Sequence, residues 1–147
     1  MVKPNPLLCT MPRVLALDYG KKRTGIAVTD PVQIIATALD TVDTNELIGY
    51  LKKYFAREEV EMVLLGYPLN LDDTATDATP LVDKFIKKFT HVFPAMPVQK
   101  IDERMTSKFA SREIAAMGLK KKDREKKELI DAVAAVMMLQ DWLEARG

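Results

Sequence analysis

One cysteine, one histidine and one tryptophan stand among 147 residues, and each scarcity removes a class of chemistry. With Cys9 alone, no intramolecular disulfide and no cysteine-clustered zinc site can be built, which fits a reducing, cytoplasmic setting. His91 falls at a predicted helix end, remote from every acidic motif, so a histidine-activated nucleophile is not expected. No apolar run reaches membrane-spanning length, and Met1 to Thr10 lacks the apolar core of a secretory signal, so a soluble protein is expected. An excess of one charge is missing too: 22 Lys and Arg against 21 Asp and Glu select neither a nucleic-acid nor a membrane partner.

What is present is one domain's worth of core, with 48% hydrophobic and 29% charged residues. Residues 1–11 read as a disordered tail and 12–147 as a single domain. Arg13 to Asp18 and Thr24 to Val28 are short β-branched and Leu-rich runs around Gly20-Lys21-Lys22-Arg23, as in a β-hairpin. A third strand is predicted from Ile34 to Val42. Asp43 or Thr44 can then cap a helix carrying Leu47, Ile48, Leu51, Tyr54 and Phe55 at helical spacing. Met62-Val63-Leu64-Leu65 has the character of a strand buried on both faces.

Further on, Leu81, Val82, Phe85, Ile86 and Phe89 form one stripe of a helix from about Thr76 to Val92, with Lys84, Lys87 and Lys88 opposite. Pro97 to Ile101 predicts a fifth strand, and Thr106 or Ser107 can cap a helix running to Gly118. A last helix, about Lys126 to Arg146, is apolar over most of its circumference and is expected to be largely buried. The order β-β-β-α-β-α-β-α-α implies an α/β protein with a five-stranded mixed sheet, its first three strands antiparallel, flanked by helices.

Acids recur where they are locally costly: Asp18 ends strand one, Asp102 and Glu103 end strand five, and Asp131 interrupts the apolar final helix. Asp131 lies among Ile130, Ala132, Val133, Ala134 and Ala135, and a buried ionised carboxylate costs several kcal/mol unless compensated. A divalent cation, Mg²⁺ or Mn²⁺, accepts such hard oxygen ligands, and metal-assisted phosphodiester hydrolysis is the chemistry they serve. Plainer readings exist for each. Asp131 can pair with Lys127 one turn earlier, Asp18 can initiate a turn before Gly20, and Asp102-Glu103-Arg104 can form a local ion pair. Either Asp102 or Glu103 could be the ligand, because adjacent strand residues face opposite ways.

Basic residues are concentrated: nine lie between Arg104 and Lys127 against three acidic ones. Backbone contacts to nucleic acid are expected from Lys21, Lys22, Arg23, Arg104, Lys120, Lys121 and Lys122. Asn70, in Gly66-Tyr67-Pro68-Leu69-Asn70, is a candidate substrate contact, though that stretch also reads as a strand-ending turn. Aromatic residues fall mainly on core stripes, which leaves no stacking platform for a single-strand reader and favours structured or duplex-containing nucleic acid.

The segments Asp18 to Val28, Gly66 to Asn70, Asp102-Glu103-Arg104-Met105-Thr106 and Asp131 to Ala135 together resemble the YqgF family, also called RuvX or Holliday junction resolvase-like, over roughly Arg13 to Leu143. The resemblance implies an RNase H-like three-layer fold in which Asp18, one acid of the Asp102-Glu103 pair and Asp131 hold the metal. It also implies a nuclease maturing the 5′ end of the pre-16S rRNA, acting on ribosomal precursor particles as a monomer or weak homodimer. One departure is visible: the family's second motif continues to a glycine where Asp73 stands here, a loss of backbone freedom if φ > 0 is needed. Related RuvC-type resolvases carry a second acid near the final helix's ligand, for which Glu128, three residues before Asp131, is the candidate. Two other readings fit the same residues, a DNA junction resolvase and a catalytically silent RNA-binding protein. An actin-like ATPase, whose first phosphate loop resembles Asp18-Tyr19-Gly20, needs two domains, and 147 residues supply one.

Overall fold

The computed structural model describes residues 11–68, 72, 74–102 and 123–146. Residues 1–10 of the expected 1–11 tail, the expected helix from Thr106 or Ser107 to Gly118, and the candidates Asn70, Glu103, Arg104, Lys120, Lys121 and Lys122 lie outside them. So do Asp73 and the side chains of Glu128 and Asp131.

β1 (Arg13–Asp18) and β2 (Arg23–Thr29) form the expected hairpin, with Leu15 opposite Val28 and Asp18 opposite Gly25. β3 (Ala36–Asp43) pairs antiparallel with β2. After a short 3₁₀ turn, Thr44–Glu46, come α1 (Leu47–Arg57), β4 (Val60–Tyr67), α2 (Thr79–Val92), β5 (Val98–Asp102) and α3 (Asp123–Arg146). β4 runs parallel to β1 and β5 parallel to β4, giving one sheet in the order β3-β2-β1-β4-β5. β1 is therefore central.

Side-chain alternation divides the strands between two cores. Leu15, Leu17, Ile26, Val63 and Leu65 meet Leu47, Leu51 and Tyr54 of α1 and Val82, Phe85 and Phe89 of α2. Val14, Ala16, Ala27 and Leu64 face the other way, against Ala135, Met138, Leu139 and Leu143 of α3. Each fully buried Leu or Ile removes enough apolar surface from water to contribute about 1.5–3 kcal/mol. A row of rings, Phe85 to Phe89 to Phe93 to Phe55, fills the first core, with Phe55 edge-on to Phe93 at 5.0 Å between centroids.

The local expectations shift in four places. β3 starts at Ala36 rather than Ile34, because the amides of Ile34 and Ile35 donate to Asp30 Oδ1 at 2.7 and 2.9 Å and are lost to the ladder. Neither Asp43 nor Thr44 caps α1 through its side chain; the 3₁₀ turn intervenes, and the Thr44 hydroxyl is used elsewhere. α2 begins at Thr79, not Thr76, and Leu81, assigned to its apolar stripe, is exposed. α3 begins at Asp123, three residues before the expected Lys126.

The edge of the sheet at the β1 N-terminus is tied together by Gln33, a non-glycine residue at φ 53° and almost wholly buried. Its amide nitrogen donates to the Pro12 carbonyl and to Glu61, both at 2.7 Å, and its oxygen accepts from Arg146 at 2.8 Å. Gln140 accepts the Ala36 amide at 3.0 Å, so the C-terminal half of α3 is fixed over this edge. Among the described residues, no helix is long and apolar enough to cross a membrane.

Candidate active site

Asp18 is the last residue of β1, half-buried at the carboxyl edge of the sheet. By alternation it shares the α3-facing side with Val14 and Ala16. Its partner on β2 is Gly25, and since Leu17 pairs with Leu65, the next residue of β4, Gly66, comes level with it on the other side. Glycines thus flank Asp18 on both neighbouring strands. The carboxyl ends of parallel strands are where open α/β sheets bind ligands.

Gly20 closes the chain after Asp18 so tightly that a Cβ there would run into the Arg23 carbonyl oxygen. This turn is braced from β3: the Thr44 hydroxyl donates to the Gly20 carbonyl at 2.6 Å, and the Thr44 amide donates to the Lys22 carbonyl at 2.9 Å. Because that hydroxyl has one proton, the buried Thr24 hydroxyl must be the donor in its 3.0 Å bond to Thr44. Lys21 and Lys22 project from the turn as exposed cations, while Arg23 opens β2 half-buried. Tyr19 leaves the edge inward, its ring 4.6 Å from that of Phe85, and burial raises its phenol pKa.

On the neighbouring strands, Tyr67 pairs with Asp102, and both lie on the α2-facing side. The Tyr67 hydroxyl donates to Asp83 Oδ1 at 2.9 Å, a bond that raises its pKa, and Lys100 Nζ lies 4.3 Å from its ring centroid. Pro68, next in the chain, has its carbonyl bonded by the buried Thr79 hydroxyl at 2.5 Å. The start of the Gly66 to Asn70 loop is therefore pinned to the first turn of α2. Ile101 packs on the opposite side, with Val14, Ala16 and Leu64. Asp102 is consequently on the other side of the sheet from Asp18.

Of the four acids expected from sequence, Asp18 and Asp102 occupy the same edge of the sheet but opposite sides of it. Asp131 belongs to α3, and Glu103 lies beyond the described residues. Among the described residues no cluster of three or more Asp, Glu, His or Cys could hold a metal ion. His91 is exposed at the last turn of α2, away from this edge. Sequence reading took Thr44 only as a candidate helix cap, since its bracing role depends on a contact 24 residues away, and it did not foresee the placing of Gly25 and Gly66 beside Asp18.

A family model described as RuvX: Holliday junction resolvase matches residues 12–145. A protein of Christiangramia forsetii named "Putative pre-16S rRNA nuclease" is 50% identical over 133 residues, 90% of this chain and 98% of that protein. A protein of the same name from Flavobacterium psychrophilum is 47% identical over 133 residues, covering 90% of this chain and 97% of its own length. Among solved structures, T. thermophilus RuvC in complex with a Holliday junction substrate aligns with a TM-score of 0.55 at 17% identity, over 91% of this chain and 95% of that one. The fold shared with that neighbour is RNase H-like, as the sheet order and the two helical layers require.

Proposed function

Because the chain belongs to the RuvX family, we propose that it is a divalent-metal-dependent nuclease that hydrolyses phosphodiester bonds at the 5′ end of the pre-16S rRNA. The observation that carries the reading is Asp18, held between Gly25 and Gly66 at the carboxyl edge of a central strand.

Strand alternation and helix length support a specific ligand set. Asp102 lies on the other side of the sheet from Asp18, and this favours its sequence neighbour Glu103 as the ligand from that pair. Along α3, Asp131 precedes Gln140 by nine residues, about 13 Å of helix. Gln140 is bonded to Ala36, which lies in the cross-strand row of Thr29 and Val14, and Asp18 is four residues, about 13 Å, beyond Val14 along β1. The agreement of the two spans supports Asp131 as the ligand supplied by α3. Three carboxylates, Asp18, Glu103 and Asp131, are the hard oxygen donors that Mg²⁺ or Mn²⁺ takes.

When bound, the cation lowers the pKa of the attacking water and neutralises charge on the phosphoryl oxygens. The chain's part is to fix those carboxylates and to hold the nucleic-acid backbone. Lys21, Lys22 and Arg23 on the braced turn, with Arg104, Lys120, Lys121 and Lys122, meet phosphates, and Asn70 contacts the substrate from the β4 loop.

The test is a cleavage panel of pre-16S rRNA fragment, single-stranded DNA and four-way DNA junction with Mn²⁺. Cutting of the rRNA precursor that is lost in Asp18→Asn supports the reading. The family description favours one alternative, and cutting of the junction alone would replace the RNA substrate with DNA.

A further inference from the structure

Beside the braced turn, where α1 leaves the edge strand β3, lies a groove of about 450 Å³ lined by Val42, Asn45, Glu46, Gly49, Tyr50 and Lys53. Its size is in the range of small-ligand pockets. Asn45, Gly49 and Lys53 follow one another at four-residue spacing along one stripe of the helix and the turn that precedes it.

Gly49 is the feature that ordinary packing does not account for. It sits inside a helix, exposed, and a Cβ built on it meets nothing within 4 Å. Alanine would be accommodated and would favour the helix, so crowding does not explain the glycine. The missing side chain leaves a notch between Asn45 and Lys53. Around that notch are an amide, a carboxylate and an ammonium group, with Val42 and the half-buried Tyr50 as apolar wall. An amide and a carboxylate can read the donors and acceptors of a base edge, an aromatic ring can take a base face, and an ammonium can meet a phosphate.

Position links the groove to the edge that carries Asp18. Thr41 of β3, Gly25 of β2 and Asp18 of β1 lie in one cross-strand row, so the end of β3 is two strand spacings, about 10 Å, from Asp18. That distance is about three stacked nucleotides. Asn45 directly follows Thr44, which holds the Gly20–Lys22 turn, and the exposed Lys21 and Lys22 stand between the two places. Val42 faces the α1 side and Asp18 the α3 side, so a strand joining them passes over the edge of the sheet at this turn.

The geometry points to the Gly49 groove as a pocket for one unpaired nucleotide of the RNA that is cut at Asp18, a role that rests on the nuclease reading. It selects RNA with a single-stranded extension a few nucleotides from the scissile bond over fully paired RNA.

Binding is measured for the full chain carrying Asp18→Asn, which separates binding from cutting, with Mg²⁺ and two labelled RNAs: a blunt duplex and the same duplex with a four-nucleotide 5′ extension. The extended RNA is expected to bind about 10-fold tighter. Adding Gly49→Leu should abolish that difference without changing affinity for the blunt duplex. Adding the exposed Lys53→Ala should weaken only the extended RNA and reduce its salt slope by about one. Gly49→Ala, measured for thermal unfolding, should be at least as stable as the parent. Equal binding of the two RNAs by the parent, or an undiminished preference in folded Gly49→Leu or in Lys53→Ala, overturns the pocket. The nuclease reading is judged separately by cutting with Asp18 intact: preference without cutting keeps the pocket and removes the nuclease, and cutting without preference does the reverse.

Discussion

Thr44 donates its hydroxyl proton to the carbonyl oxygen of Gly20 across 2.6 Å, joining the residue after β3 to the turn that follows Asp18. The turn's cations are thereby held by a neighbouring strand and not by their own backbone alone. Thr44→Val keeps the shape but leaves the Gly20 carbonyl and the buried Thr24 hydroxyl short of a partner, at a cost of about 1–3 kcal/mol. Urea unfolding should show that loss, and cleavage by the folded fraction should fall as well. Normal cleavage by the folded fraction would limit the contact to stability.

Gly20→Ala tests the turn from the other side. The added methyl would collide with the Arg23 carbonyl oxygen, so the turn must open and shift Lys21 and Lys22. We expect a stability loss of about 1–3 kcal/mol, as for other overpacked sites, together with weaker RNA binding in a filter or anisotropy assay. A variant that binds RNA as tightly as the parent would show that the turn's shape is immaterial.

Asp102 and Glu103 should separate cleanly. Glu103→Gln and Asp131→Asn should each lower cleavage at least about 100-fold, more than the loss of a residue that merely supports a ligand. Asp102→Asn, on the Tyr67 side of the sheet, should stay within several-fold of the parent. Chelation by EDTA should stop cleavage, and added Mn²⁺ should restore it. The reverse ranking of Asp102 and Glu103 would remove Glu103 from the ligand set and return Asp102 to it.

Gln33 offers a control at the far edge. Gln33→Ala removes three hydrogen bonds and leaves an alanine at φ 53°, so a loss of about 2–4 kcal/mol is expected. Gln33→Gly should be less destabilised by several tenths of a kcal/mol, since glycine adopts that backbone freely. Denaturant titration orders the two. Cleavage per folded molecule should be unchanged in both.

Asp30 predicts an acid limb. The Ile35 amide holds its carboxyl below the ordinary carboxylate range, against an opposing effect of burial and with help from the Ile34 amide. A depressed folded pKa means that this stabilisation is present above the unfolded value, about 3.9, and is lost as pH falls through the folded one. Unfolding midpoints followed from about pH 6 down to pH 2 should drop less steeply in Asp30→Asn than in the parent.

Much of this layout was legible beforehand from the periods of the chain. The fully apolar Met62 to Leu65 run and the alternation around Val14 and Leu17 signal strands whatever their neighbours, because those periods are set by the backbone within each element. Ile34 and Ile35 misled, since Asp30 captures their amides through its side chain, and hydrophobicity carries no trace of that. Leu81 misled in another way: its helical spacing is right, yet it is exposed.

From sequence alone came the acids at strand ends, the family motifs that order them, and the expectation of a mixed sheet. That Asp102 lies on the opposite side of the sheet from Asp18 could not come from there, because it depends on the register of β5 against β4. The same holds for the glycines beside Asp18 and the Thr44 brace, each made by residues that become neighbours only when strands pair. Local periodicity says which residues alternate; only pairing between distant segments decides which of the two sides faces the helix, and hence which residues meet at the site.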